Sequence, residues 1–200
     1  IYQVAAHDSF ALARVDVGFS MGLRPGEVRG LKWSDIDWAA PSITIERQAQ
    51  HVSGKGTVFT TVKQNEIRTI PMSSDQIEIL LRHRAVQELE KMFWKADLDL
   101  IFPNEIGRVL DERKDRRRFA ALCDAAGVPR YKLYQMRKTC FSILARAGTD
   151  LKTLQSYSGH KTITTLMGSY VFASKDSLRQ ITDTLDRARP NVSKREPGVG

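Results

Sequence analysis

One short window of this chain alternates apolar and polar residues at the period of a strand, while the stretches on either side repeat at helical spacing. Ile43, Ile45 and the run to Gln50 alternate as a strand, Ser53-Gly54-Lys55-Gly56 makes a turn, and Thr57 to Lys63 continues with β-branched residues. Gln64-Asn65 then turns into a third strand from Ile67 to Met72. The fold class that follows is α+β, mainly α, with a small three-stranded antiparallel sheet.

The helices carry their own punctuation. Phe10, Ala13, Val17 and Met21 form a stripe ended by Gly22 as a C-cap, and Pro25 suits the first position of the next helix, with Glu27 in its first turn. Arg24 therefore stands at a helix entrance, where backbone N–H groups favour an anion. Ser73 and Gln76 form a capping box ahead of a long stripe of Ile77, Leu80, Leu81, Ala85, Leu89 and Phe93. A further helix from Asp111 to Ala126 carries Arg113, Lys114, Arg116, Arg117 and Arg118, a basic run that suits phosphate contacts or a solvated face equally. Leu133, Met136, Cys140, Leu144 and Ala147 mark the buried face of the next helix, which Gly148 closes before Thr149 or Asp150 caps another. Ile163, Leu166, Met167 and Tyr170 again share one face, a last amphipathic helix starts at Ser174, and residues 190–200 read as a disordered tail. One domain is expected over residues 1–189.

Charge enters here because it bounds the partner. Thirty-one Lys and Arg against 23 acidic residues give +8 and a pI near 9.7, which fits a polyanion such as DNA, though a merely basic protein has the same balance. Cys123 and Cys140 lie on apolar helical patterns and read as buried reduced thiols, the usage of a reducing cytosol. His7, His51, His83 and His160 lack metal-ligand spacing, and no P-loop or dinucleotide fingerprint is present, so neither a metal nor a nucleotide cofactor is expected. No apolar run reaches bilayer length and no secretory leader opens the chain, so no membrane partner is expected. The start at Ile1 suggests a fragment.

Chemistry concentrates between Tyr134 and Tyr170. Arg137 is a permanent planar cation suited to phosphate oxygens, His160 in a Gly-His pair can exchange a proton near neutral pH, and Tyr170 carries an oxygen that can act as a covalent nucleophile. Each residue has an ordinary structural use as well: Arg24 as a capping arginine, Lys63 as a solvated hairpin lysine, and Tyr170 as a core tyrosine.

The stretch Y-Q-M-R-K-T-C to S-G-H and Tyr170 resembles the second signature box of the tyrosine recombinases, the phage integrase family, whose usual form is H-x-x-R, L-G-H and a terminal Tyr. M-G-L-R-P-G-E-V-R-G-L-K-W-S-D-I-D resembles the first box, with Arg24 at the first catalytic arginine, and T-V-K-Q-N-E-I-R-T-I-P resembles the hairpin bearing the catalytic lysine, here Lys63. The resemblance implies the catalytic domain of a site-specific recombinase. In it Tyr170 forms a 3'-phosphotyrosyl link, Arg24 and Arg137 hold the phosphate, Lys63 protonates the leaving 5'-oxygen, His160 assists and Glu27 buttresses the arginines. It also implies double-stranded DNA attachment sites, a tetramer on DNA that can be monomeric in solution, no cofactor, and a bacterial or phage-encoded protein of the cytoplasm and nucleoid. Family members carry an additional amino-terminal DNA-clamping domain that nothing in this sequence resembles. A type IB topoisomerase shares this plan of residues, and a non-cleaving DNA-binding relative would share the fold. The departure is Tyr134, which stands where the family has histidine; a phenol with a pKa of about 10 is a poor base at neutral pH, leaving proton acceptance to His160.

Overall fold

Two nested hairpins and seven helices make up the computed structural model over the residues it describes, 1–52, 54, 56–62 and 67–159. Lys63, the turn at Gln64-Asn65, His160, Tyr170, the helix expected from Ser174 and the tail at 190–200 lie outside the described residues. Helices α1 (Tyr2–Ala5), α2 (Ser9–Ser20) and α3 (Pro25–Gly30) lead into strands β1 (Ile36–Asp37), β2 (Ser42–Ile45), β3 (Arg47–Val52), β4 (Gly56–Thr61) and β5 (Arg68–Pro71). Helices α4 (Ser74–Glu90), α5 (Glu112–Ala125), α6 (Tyr134–Arg146) and α7 (Leu151–Ser158) follow.

The caps expected at Ser73 and Asp150 and the helix ends expected at Gly22 and Gly148 are in place. Asp8, Ser73, Asp111 and Asp150 each accept backbone N–H bonds at a helix start, and Gly22, Gly127 and Gly148 take positive φ just past a helix end. Ala13 and Val17 of α2 with Met21 just past its end, Val28 of α3 with Leu31 just past its end, Ile43 and Ile45 of β2, Ile70 of β5 and Leu80 of α4 close one core around Ile101 and Phe102.

The strands pair differently from expectation. The run from Ile43 to Gln50 is two strands, not one: β2 joins a three-stranded antiparallel sheet ordered β1-β2-β5, and beyond Glu46, β3 pairs, among the described residues, only with β4. The segments from 57 and from 67 do not pair with each other, and the third strand of the sheet is the two-residue β1. Register explains the switch. Ile43 opposite Ile70 and Ile45 opposite Arg68 place the inward side chains of β2 and β5 together, and a slip of one residue would turn them outward. The inner ladder ends at Arg47 opposite Thr61 and the outer one begins at Ile45 opposite Arg68, so the outgoing chain crosses with Glu46 alone where the returning chain has residues 62–67.

The buried face of α4 also departs from the expected stripe. Leu80 is buried, but Leu81, Leu89 and Phe93 are exposed, and the inward positions are Gln76, His83 and Gln87. Polar groups win these places because the core offers partners: Gln87 accepts from Trp33 Nε1 and donates to Ile101 O (3.1 Å), and His83 Nε2 lies 2.7 Å from the same carbonyl. On α6, Met136 and Cys140 are buried as expected, whereas Leu144 is half-buried, Ala147 exposed, and Arg137 and Phe141 fill the inward face.

A carbonyl only accepts, so His83 must donate from Nε2, and Nδ1 is left buried with no partner among the described residues. Burial lowers the His83 pKa, against a smaller opposing effect of the Ile101 carbonyl. The folded chain thus keeps His83 neutral while the unfolded chain takes up a proton below its ordinary value, so stability held above about pH 6.5 is lost as pH falls from there toward the folded pKa. Urea unfolding at pH 7.5 and 5.5 is expected to show a drop of about 1 kcal/mol that His83→Gln largely removes; an unchanged pH slope in the variant would refute this origin.

Candidate active site

The site is assembled from helix ends, where the backbone has groups to spare. Past α2 the chain turns through Gly22 at φ +60, a conformation that favours glycine, and an added Cβ would sit 2.9 Å from the Phe141 ring. The turn aims the Gly22 carbonyl at Arg137, whose Nη1 donates to it at 2.7 Å. Two residues on, Arg24 takes extended backbone angles as the N-cap of α3, and Pro25 starts the helix as expected. Glu27 reaches back to the Arg24 amide (2.8 Å) and accepts from Arg24 Nη1 (2.7 Å).

Glu27 is fully buried. Burial alone would raise its pKa, but the hydrogen bonds and charge of Arg68, followed by the amide and charge of Arg24, hold it below the ordinary carboxylate value. Arg68 of β5 donates Nη1 to Oε1 (3.2 Å) and Nη2 to Oε2 (2.8 Å), and its Nε donates to Tyr157 O (3.0 Å). Sequence reasoning did not single out Arg68. The signal was present, since in R-T-I-P the arginine stands in phase with the inward Ile70.

Arg137 comes from α6 and is 0% exposed. Besides Gly22 O it donates through Nη2 to Ser158 O at 2.8 Å, and its guanidinium carbon lies 5.0 Å from the Phe141 ring centroid. Arg24 Nη2 reaches Gly159 O at 3.5 Å. Two arginines 113 positions apart in sequence thus bond to consecutive carbonyls at the C-terminal end of α7, the partially negative end of that helix. Gly159 adopts φ +67, and a Cβ there would lie 2.9 Å from Arg68 Nη1. Tyr134 opens α6 one turn before Arg137 and is 38% exposed.

The structure therefore unites Arg24, Glu27 and Arg137, adds Arg68, and leaves Lys63, His160 and Tyr170 outside the described residues. The basic run is a separate feature. Arg113, Lys114, Arg116, Arg117 and Arg118 are all exposed on α5, but Lys114 and Arg118 pair with Glu105, and Arg116 with Glu112. Its one buried member, Asp115, ties α5 inward to Arg14 (2.9 Å) and Arg29 (3.8 Å). Among the described residues no group of His, Cys, Asp and Glu is placed to hold a metal ion, and no helix is long and apolar enough to cross a membrane. Both cysteines are buried, free thiols, and burial pushes Cys140 up to about 11 against the nearby Arg137.

The model of the phage integrase family matches residues 5–177. A XerC-like tyrosine recombinase of Caldanaerobacter subterraneus subsp. tengcongensis is 30% identical over 185 residues, covering 85% of this chain and 47% of the relative. The ICEBs1 integrase of Bacillus subtilis is 25% identical over 174 residues, with the same coverage of 85% and 47%. Among solved structures, the Tn1549 transposon integrase in complex with transposon right-end DNA superposes with a TM-score of 0.75 at 24% identity, over 88% of this chain and 58% of that one. The XerA recombinase superposes at 0.69 and 21% identity, over 94% and 59%. These superpositions bear out the fold, mainly helical with a small antiparallel sheet. The chain spans about half the length of these curated relatives.

Proposed function

Because the chain belongs to the phage integrase family of tyrosine recombinases, we propose that it is the catalytic domain of a site-specific DNA recombinase, over residues 1–189 with 190–200 as a tail. The observation that carries this reading is the convergence of Arg24 and Arg137 on the Ser158 and Gly159 carbonyls beside the buried, ionised Glu27. Two fixed cations held by backbone acceptors are organised before any substrate arrives, so they can stabilise charge developing on a phosphate without reorganising.

Tyr170 Oη would attack the scissile phosphorus, forming a 3'-phosphotyrosyl bond as the P–O5' bond breaks. The phenolic proton would leave by way of His160 or water, and Lys63 would supply a proton to the departing 5'-oxygen. Rejoining runs the same steps in reverse with a new 5'-hydroxyl, so the bond energy is conserved and no nucleotide is consumed. The partners of this reading are double-stranded attachment sites and a homotetramer on DNA, working in the bacterial cytoplasm at the nucleoid. Arg113 and Arg117, which make no ion pair among the described residues, are the members of the basic run best placed to meet a phosphate backbone.

Incubation with a candidate attachment duplex and with a supercoiled plasmid tests the proposal. Covalent adducts confined to one duplex sequence support it. Relaxation of any plasmid without site preference would mark a type IB topoisomerase, and binding without adducts a non-cleaving relative.

The role of Lys63 has its own test. Replacing the bridging 5'-oxygen by sulfur creates a leaving group that needs no proton, so Lys63→Ala is expected to slow cleavage of ordinary DNA by about 10²–10⁴-fold and to be largely restored on the sulfur substrate. Equal defects on both substrates would reduce Lys63 to a phosphate contact.

A further inference from the structure

Glu27 creates an electrostatic problem for the site it supports. A fully buried carboxylate in contact with Arg24 alone would cancel the charge that Arg24 offers a phosphate. Arg68 changes the balance: Arg24, Glu27 and Arg68 together carry one net positive charge, and Glu27 has both oxygens engaged by Arg68 while still accepting from Arg24.

We propose that Arg68 is a positioning residue of the active site, compensating Glu27 so that Arg24 keeps its charge for substrate, and pinning the end of α7 where Arg24 and Arg137 are held. The inference rests on the recombinase reading above. Three features of the geometry support it. The fork of Arg68 spans two elements at once, with both Nη atoms on Glu27 of α3 and Nε on Tyr157 O of α7. The next carbonyls along α7, Ser158 and Gly159, are those that hold Arg137 and Arg24. Gly159 leaves room for the Arg68 guanidinium, which a side chain there would crowd at 2.9 Å.

A lysine could supply the charge but not the fork, because a single ammonium cannot engage both carboxylate oxygens and the Tyr157 carbonyl in this arrangement. The two duties of Arg68, charge and geometry, are thereby separable by mutation.

The charges acting on Glu27 are those of Arg68 from β5 and Arg24 from its own helix. From α6 and α7, Arg137 and the Tyr157 hydroxyl turn to the carbonyls of Gly22, Ser158 and Ser20, and His160 lies outside the described residues. With Arg68 gone, burial dominates and the Glu27 pKa rises. A carboxylate with a raised pKa is protonated as pH falls through it, Arg24 is released, and cleavage is lost from the acid side.

The test is carried out on the 200-residue chain with Arg68→Gln and Arg68→Lys, reading the ¹³C-carboxyl titration of Glu27, single-turnover adduct formation against pH, and thermal stability. For Arg68→Gln the Glu27 midpoint is expected to rise by about 1 pH unit or more, with the acid limb of the cleavage profile rising in step. For Arg68→Lys the limb should return toward its original position while the rate at neutral pH stays down by about tenfold, since the fork is lost. An unmoved Glu27 midpoint, or a rate that falls by one common factor at every pH in proportion to lost stability, overturns the proposal. If Arg68→Gln does not fold, Arg68→Lys decides: a neutral-pH rate equal to that of the parent chain overturns the geometric duty. Should the parent chain form no adduct, the recombinase reading fails, and the Glu27 titration still decides whether Arg68 sets its ionisation.

Discussion

Tyr170→Phe is expected to abolish covalent protein–DNA adducts while leaving DNA affinity within a few-fold. The variant removes one hydroxyl and no charge, so the arginines and the basic surface proposed to bind phosphate are untouched. The other tyrosines of the same stretch are poor substitutes. Tyr157 donates its hydroxyl to Ser20 O at 3.1 Å, and burial pushes its pKa up to about 12, so forming its phenolate is costlier than for a free phenol. Tyr134 is 38% exposed and lies one turn from Arg137, which makes it the residue to suspect if adducts persist. Denaturing gels of a trapped duplex, followed by mapping of the linked peptide, give the answer: adducts at parent levels in Tyr170→Phe would move the nucleophile elsewhere.

What the sequence made legible and what it did not follow a physical division. Features decided within a few residues of backbone could be read directly: the cap at Ser73, the turn at Gly22, the helix opened by Pro25 behind Arg24. Motif spacing also named Arg24, Glu27 and Arg137, which the fold brings to one place. Pairing over distance was less legible. Ile43 to Gln50 looks like one strand because its alternation is unbroken, and nothing local records that its two halves take different partners. The inward face of α4 was misassigned for a related reason, since Gln87 and His83 become core residues only once Trp33 Nε1 and the Ile101 carbonyl are there to bond them. Arg68 escaped notice because arginine in a strand is ordinarily solvated, and the carboxylate that draws it inward lies 41 residues away.

The fully buried guanidinium of Arg137 makes its replacement the most damaging change expected among the described residues. Its Nη atoms satisfy two buried carbonyls, Gly22 O from the turn after α2 and Ser158 O from the end of α7, while the proposed mechanism assigns its charge to the phosphate. Arg137→Ala leaves both carbonyls without that partner, at a cost of about 1–3 kcal/mol for each if no water replaces it. Arg137→Lys is the more informative variant, because it keeps the charge and loses only the planar fork that reaches both carbonyls. Withdrawing a positioned arginine from a phosphoryl-transfer site typically slows chemistry by about 10³–10⁵-fold, and Arg137→Lys is expected to fall in that range while remaining folded and bound to DNA. Single-turnover cleavage at a temperature where the variant is fully native separates the two effects. A loss below tenfold there would mean that Arg137 serves chiefly to tie α2, α6 and α7 together, and that the phosphate is held by other groups.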